Sequence, residues 1–87
     1  MSYEVKIRSA AQKDLDTLTG KEYQAVAEAI SALEETPRPP KVKKLAESGL
    51  WRVRVKKYRV IYAINDTAKE IIVVRGARRS EDTYNKL

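Results

Sequence analysis

The chain contains no cysteine and no histidine. The lack of cysteine excludes disulfides, thiolate metal ligands and thiol nucleophiles. The lack of histidine excludes Ser-His and Cys-His nucleophiles and any imidazole acid–base, and both absences argue strongly against a zinc site. An enzyme with this sequence has to use Lys, Arg, Tyr, Asp and Glu.

The sequence also lacks a signal peptide, an apolar run of membrane-spanning length and a glycine-rich phosphate loop. We therefore expect a cytoplasmic protein with no membrane partner and no cofactor. The acidic residues are scattered, and Asp66 and Glu70, which flank a predicted turn, are expected to be structural, so no metal site is predicted. The 87 residues predict one domain, residues 1–87, with a shallow, open site.

The charge is distributed unevenly along the chain. Residues 1–35 contain four basic and seven acidic groups, a net charge of −3, whereas residues 36–87 contain fourteen basic and five acidic groups, a net charge of +9. This asymmetry predicts an anionic partner for the second part, either nucleic acid or an acidic protein segment. The alternative is a basic surface that only serves solubility.

The first part of the chain predicts one strand and two helices. Apolar and charged side chains alternate from residue 3 to residue 8, which indicates a strand ending near Ser9. Ser9 with Gln12, and Thr19 with Glu22, have the spacing of capping boxes. Apolar residues at helical spacing follow each pair, which predicts two amphipathic helices.

A basic loop is expected after the second helix, which should end near Thr36 because the prolines that follow cannot continue it. The loop would extend from Pro37 to Ser48, with Leu45 as its apolar anchor.

Three strands are predicted next. Alternation indicates one strand from Trp51 to Lys57 and another that begins at Tyr58. A turn is expected at residues 65–67, and the apolar run Ile71 to Val74 is typical of a central strand that Gly76 would end.

The resulting order is β-α-α-β-β-β(-α), with a short helix or a frayed end at residues 80–87. It predicts an α+β fold in which an antiparallel-rich sheet has a helical hairpin on one face and an open cationic face on the other.

The cationic face is the main candidate site. Arg52, Arg54 and Lys56 should share one side of their strand, and Arg59 has the parity to join them if the two strands pair tightly. Crowded like charges favour a phosphate-binding role, although charges can also simply protect a sheet edge. Further cations come from the loop, the hairpin and the end of the last strand: Lys41, Lys43, Lys44, Lys57, Arg75, Arg78 and Arg79.

Three tyrosines lie among these cations. Tyr58 and Tyr62 are expected in the core with their hydroxyl groups at its rim. Tyr84 has polar neighbours, so stacking on an unpaired RNA base is the functional interpretation.

The segment Trp51 to Tyr62, WRVRVKKYRVIY, resembles the core motif of the RelE/ParE toxin superfamily. The arrangement around it is also similar: a strand, a helical hairpin, a basic loop with prolines, a three-strand meander and an Arg-rich stretch ending in tyrosine, here Gly76 to Tyr84. The resemblance covers nearly the whole chain.

The resemblance implies a toxin of a type II toxin–antitoxin system. For the RelE branch it implies a metal-independent endoribonuclease that cuts mRNA on the ribosome and so inhibits translation. In that chemistry the RNA 2′-hydroxyl attacks the adjacent phosphate and leaves a 2′,3′-cyclic phosphate. Several residues match positions of the family. Its cationic strand positions are matched by Arg52, Arg54 and Arg59, its late arginine by Arg79 or Arg78, and its stacking tyrosine by Tyr84.

One departure from the family concerns the general base. RelE-type nucleases typically have lysines where this chain has Arg52 and Arg54, and arginine rarely loses its proton. We therefore hypothesise that Lys56 is the base, or that catalysis is electrostatic.

Two other functions fit the resemblance. The ParE branch inhibits DNA gyrase without cutting RNA, and a family member without activity could serve as a decoy or bind operator DNA. The expected partners are a cognate antitoxin with an acidic amphipathic segment, the ribosome with mRNA, and operator DNA bound through the toxin–antitoxin complex.

Overall fold

The computed structural model describes residues 3–45 and 48–78, so the predicted helix at residues 80–87 lies outside the described residues. The α+β class is confirmed. The elements, in chain order, are β1 (Glu4–Ile7), α1 (Ser9–Asp16), α2 (Gly20–Ala32), β2 (Lys43–Leu45), β3 (Leu50–Val55), β4 (Tyr58–Asn65) and β5 (Glu70–Arg78).

The strands form one five-stranded sheet in the order β1-β5-β4-β3-β2. β1 is parallel to β5, and the other neighbours are antiparallel. The sheet is therefore mixed but rich in antiparallel pairs, as expected. A register shift between Ile61 and Tyr62 changes the pairing of β4 with β5.

The two helices pack on one face of the sheet and enclose the core. Burial of each large apolar side chain contributes about 1.5–3 kcal/mol before the entropy cost of folding. The core cluster consists of Ala11, Leu15, Leu18, Val26, Ile30, Leu33, Tyr58, Val60, Tyr62, Ile71 and Val73.

Tyr58 and Tyr62 occupy the positions predicted for them. Both are buried, and their hydroxyl groups reach the rim of the core. The Tyr58 hydroxyl donates a hydrogen bond of 2.8 Å to Glu22 Oε1, and the Tyr62 hydroxyl donates one of 2.7 Å to the Pro37 carbonyl oxygen. These bonds connect the sheet to α2 and to the loop that follows it.

The predicted capping boxes are wrong. Arg8, not Ser9, is the N-cap of α1, and Thr19 is the N-cap of α2 but makes no side-chain capping bond. Glu22 accepts the hydrogen bond from Tyr58 instead, so a tertiary contact replaces the local one. α2 ends at Ala32, before the predicted Thr36.

Two strand predictions also need correction. The predicted loop from Pro37 to Ser48 contains β2, whose short Lys-Lys-Leu sequence has little strand preference and is held by pairing with β3. Gly76 does not end β5, because it pairs with Val60 and the strand continues to Arg78.

Candidate functional site

Two arginines lie directly opposite each other in the β3–β4 hairpin. Arg54 and Arg59 are cross-strand Cα partners, so their side chains leave the sheet on the same face, away from the helices. Arg52 lies two residues before Arg54 and shares this face. The predicted parity of Arg59 is therefore confirmed, and we call Arg52, Arg54 and Arg59 the arginine face.

A second row of side chains crosses the same face of the sheet. Lys43 pairs with Arg52, Arg52 with Ile61, and Ile61 with Arg75. Ile61 is only 1% exposed although it is not part of the helix-side core. The row thus has a buried apolar side chain at its centre, and the face is not uniformly open or cationic.

The prediction that Lys56 lies on the strand face is wrong. β3 ends at Val55, and Lys56 and Lys57 form the two-residue turn before β4. Lys56 has a φ of 55°, a left-handed conformation that carries a steric cost for any residue with a Cβ. Both lysines are exposed at the end of the hairpin that holds Arg54 and Arg59.

The lysines of the predicted basic loop lie on different sides of the sheet. Lys43 belongs to the face of Arg52, but Lys44 pairs with Trp51 on the helix side, and its Nζ lies 5.7 Å from the centroid of the Trp51 ring. Lys41 is exposed before β2. Lys43 is therefore the residue of this group that is in register with the arginine face.

Arg38 has a structural role that the sequence did not reveal. Its guanidinium stacks 4.9 Å from the Trp51 ring centroid and donates two hydrogen bonds, of 2.9 and 3.4 Å, to Asp66. The Tyr3 hydroxyl donates another to Asp66, at 2.7 Å. The bond from Arg38, followed by that from Tyr3, lowers the pKa of Asp66.

Asp14 is a second residue that sequence reasoning missed. Its carboxylate accepts hydrogen bonds from Arg75 Nε at 2.8 Å, from the Arg75 terminal nitrogen at 3.2 Å, and from the Gly76 amide at 3.1 Å. Burial raises the pKa of Asp14, but these bonds outweigh it and the net pKa is lowered.

Several other predictions have clear structural outcomes. Asp66 bonds to Arg38 and Glu70 forms an ion pair of 2.8 Å with Lys6, so both acids make structural contacts. Arg79 and Tyr84 lie outside the described residues, and for Arg78 only its place in β5 is described.

The described ranges, 3–45 and 48–78, contain no group of three acidic side chains that could hold a metal ion. Within the same ranges, no helix combines the length and apolar character needed to cross a membrane.

A separate groove lies between β1 and the two helices. It has a volume of about 280 Å³, and none of the predicted site residues lines it. Its lining includes Ile7 and Tyr23, which are the exposed large hydrophobic side chains in the described part of the chain.

Comparison with known proteins identifies relatives of the chain. Residues 5–83 match the family model described as the ParE toxin of the type II toxin–antitoxin system parDE. No curated protein matches the chain.

Solved structures give a second comparison. The chain is 35% identical to one in the archaeal RelE–RelB complex from Pyrococcus horikoshii, with 92% of this chain and 98% of that chain covered and a TM-score of 0.81. It is 27% identical to one in the toxin–antitoxin complex RelBE2 from Mycobacterium tuberculosis, covering 91% of this chain and 100% of that one, with a TM-score of 0.80. A chain of the chromosomal ParDE system from P. aeruginosa shares the fold at 18% identity, covering 91% and 98%, with a TM-score of 0.73.

Proposed function

The chain belongs to the RelE/ParE toxin superfamily of type II toxin–antitoxin systems, and from this membership we propose that it is a ribosome-dependent mRNA endonuclease that inhibits translation. The observation that carries the proposal is the arginine face, on which Arg54 and Arg59 are cross-strand partners beside Arg52. The 35% identity to a chain of the archaeal RelE–RelB complex supports the RelE branch.

The proposed reaction needs only the RNA, the protein side chains and water. The 2′-hydroxyl oxygen attacks the adjacent phosphorus, the bond from phosphorus to the 5′ oxygen breaks, and a 2′,3′-cyclic phosphate forms. The 2′-hydroxyl proton passes to a base, and the leaving 5′ oxygen takes a proton from water. Arg54 and Arg59 stabilise the charge that develops on the phosphate oxygens, an electrostatic contribution that is often the largest one in catalysis.

The proposed base is Lys56, in the turn that joins the two strands of the arginine face. Its exposed side chain extends from the hairpin end nearest Arg54 and Arg59. The left-handed backbone of Lys56 supports a functional role, because strained residues cluster at active sites. Catalysis by electrostatics alone, with water as the base, is the alternative within the same function.

The second candidate function is inhibition of DNA gyrase without RNA cleavage. The match of residues 5–83 to the ParE family model favours it. The arginine face would then bind an acidic protein surface rather than a phosphodiester.

One pair of assays distinguishes the two functions. The protein is added to a translation extract, where primer extension detects codon-positioned cuts and product analysis detects 2′,3′-cyclic ends. It is also added to a gyrase assay, where a poison traps cleaved DNA. Cyclic-ended fragments in the first assay alone support the nuclease, whereas trapped DNA without mRNA fragments supports the gyrase inhibitor.

Variants of Lys56 test the base. Under the proposal, Lys56→Ala and Lys56→Arg both cut slowly, because neither supplies a group that can accept the proton. Lys21→Ala is the matched control, since it removes one exposed lysine from α2, on the other side of the sheet. Undiminished cutting by both Lys56 variants would exclude Lys56 as the base.

The proposed partners are a cognate antitoxin, the ribosome with mRNA, and operator DNA bound by the toxin–antitoxin complex. Similarity to chains from RelE–RelB and RelBE2 complexes supports the antitoxin. We expect an acidic segment of the antitoxin to lie along the arginine face, and the groove with Ile7 and Tyr23 offers an apolar surface for another segment. Deletion of each antitoxin segment in a binding assay would test both contacts.

A further inference from the structure

Arg75 occupies a position from which it could join the arginine face. Its Cα is the partner of Ile61, and Ile61 is the partner of Arg52, so Arg75 lies on the same side of the sheet two strands from Arg52. With strands about 4.8 Å apart, the two Cα atoms are separated by roughly 10 Å. An extended Arg75 would therefore continue the row of cations across β5.

Arg75 is turned toward α1 instead. Past Ile7, β1 no longer pairs with β5, and α1 covers the outer edge of the strand. There the Asp14 carboxylate accepts hydrogen bonds from two nitrogens of Arg75 and from the Gly76 amide, which faces the edge of β5 that β1 does not cover. The side chains of Asp14 and Arg75 are 19% and 32% exposed, respectively, so the pair is partly shielded from solvent.

We propose that Asp14 limits the RNA-binding surface by withdrawing Arg75 from it, which confines phosphate contacts to Arg52, Arg54 and Arg59. This inference rests on the proposed function, because it takes RNA as the ligand of the arginine face. Phosphate contacts carry no base information, so each added cation strengthens binding to any RNA. With one fewer cation, the face binds RNA outside the ribosome less tightly.

The test measures RNA binding without the ribosome. The probe is a short single-stranded RNA with a fluorescent label and 2′-deoxy substitutions, titrated with the protein at several salt concentrations. Asp14→Asn keeps the shape of the side chain and an acceptor for the Gly76 amide, but it removes the charge that holds Arg75. We expect it to bind about 3–5-fold more tightly at low salt, with a log–log salt slope steeper by about 0.7, the value for one additional phosphate contact on a single strand.

A double variant separates this effect from a general change of structure. Arg75→Gln alone should show no gain in affinity, because Arg75 is held by Asp14 and makes no phosphate contact in the wild type. Arg75→Gln added to Asp14→Asn should restore the wild-type affinity and slope. If Asp14→Asn leaves binding unchanged or weakens it, or if the double variant keeps the gain, the inference is overturned.

Asp16→Asn is the matched control for net charge. It removes an acid from the same helix, where Asp16 is exposed and accepts a hydrogen bond from Gln12, not from an arginine. An equal gain in RNA affinity by Asp16→Asn would show that the effect comes from net charge, and it would overturn the inference. Circular dichroism checks that each variant is folded, and if Asp14→Asn is not, Asp14→Ser removes the charge while retaining a smaller acceptor.

Failure of this inference and failure of the proposed function have different signatures. The binding assay contains no ribosome and detects no cleavage, so it reports on Arg75 whether or not the protein cuts mRNA. Cleavage in the translation extract with unchanged binding by Asp14→Asn would refute the role of Asp14 alone. Tighter binding by Asp14→Asn without cleavage by any variant would refute the nuclease alone.

Discussion

Arg54 and Arg59 face each other across the β3–β4 hairpin as cross-strand partners on the side of the sheet away from the helices. Under the proposed function, a phosphodiester bound on this face would accept hydrogen bonds from both guanidinium groups, and planar guanidinium groups suit that geometry. The proposal therefore treats the pair as one binding unit.

Removal of either arginine should slow RNA cleavage without changing the fold. We expect Arg54→Ala and Arg59→Ala each to lower the cleavage rate about 100-fold, the usual cost of one donor to a developing anion. The double variant should lose less than the product of the two effects, because both groups act on the same phosphate. Single-turnover cleavage on programmed ribosomes measures the rates. Fully multiplicative losses would mean that the two arginines act independently.

The turns on either side of β4 allow a matched test of backbone strain. Lys56 and Lys69 both have left-handed backbones, with φ of 55° and 58°. Glycine removes a steric cost of about 1–2 kcal/mol but loses up to about 1 kcal/mol in chain entropy, so we expect Lys56→Gly to be more stable by roughly 0.5–1 kcal/mol. Lys69→Gly should gain less, because it loses the contact of Lys69 with the Tyr3 ring. Urea denaturation measures both values.

The same two variants separate stability from function. If Lys56 is the base, Lys56→Gly is more stable but cuts mRNA poorly, whereas Lys69→Gly retains full cleavage. Such an exchange of stability for activity is common at functional sites. Full cleavage by Lys56→Gly would leave electrostatics as the source of catalysis.

The sequence was sufficient to predict that Arg59 shares a face with Arg52 and Arg54 if the two strands pair tightly, because a period of two determines which side chains share a face, and the strands do pair in this way. It misplaced Lys56, since no glycine, asparagine or proline marks the turn and strand alternation continues through it. Parity holds only while the strand continues, and here it ends at Val55.

Contacts between distant parts of the chain could not be predicted in this way. Arg38 and Asp66 are 28 residues apart, and Asp14 and Arg75 are 61 apart. The sequence predicted a structural role for Asp66 without indicating its partner, and it did not distinguish Asp14 from the other acids of the helix. Only the folded sheet brings α1 to the outer edge of β5 and the loop after α2 to the β4–β5 turn.

Asp66 should make stability depend on acid pH. The hydrogen bond from Arg38, and then that from Tyr3, lowers the pKa of Asp66 in the folded state below its usual value near 4. The stabilisation is therefore present above the unfolded-state pKa and is lost as the pH falls through the folded-state pKa. Asp66→Asn should be less stable than the wild type at pH 7, and the difference should shrink as the pH falls below the unfolded-state pKa and through the lowered folded-state pKa. Urea denaturation at a series of pH values measures it.

Arg38 and Tyr3 variants identify the source of that pH dependence. Arg38→Gln should abolish most of it and Tyr3→Phe a smaller part, because the bond from Arg38 has the larger effect on the pKa. A pH dependence that survives in Arg38→Gln would assign the effect to another acid.

Tyr62 should limit stability at alkaline pH. Burial raises the pKa of Tyr62 to about 12, from an ordinary value of 10.0, because the charged phenolate is poorly solvated in the core. Because the folded-state pKa is raised, the neutral Tyr62 side chain stabilises the fold fully below pH 10, and this stabilisation is lost as the pH rises toward 12. Unfolding by urea should therefore become easier over this interval as the unfolded state releases the proton.

Tyr62→Phe tests this prediction with a change in one atom. The variant loses the hydrogen bond from the hydroxyl to the Pro37 carbonyl, so we expect it to be about 1 kcal/mol less stable at neutral pH. It cannot ionise, so its loss of stability between pH 10 and pH 12 should be smaller than that of the wild type. Tyr23→Phe, which alters an exposed tyrosine on α2, is the matched control and should keep the alkaline dependence of the wild type. If Tyr62→Phe and the wild type lose stability equally over this range, ionisation of Tyr62 is not what destabilises the folded chain.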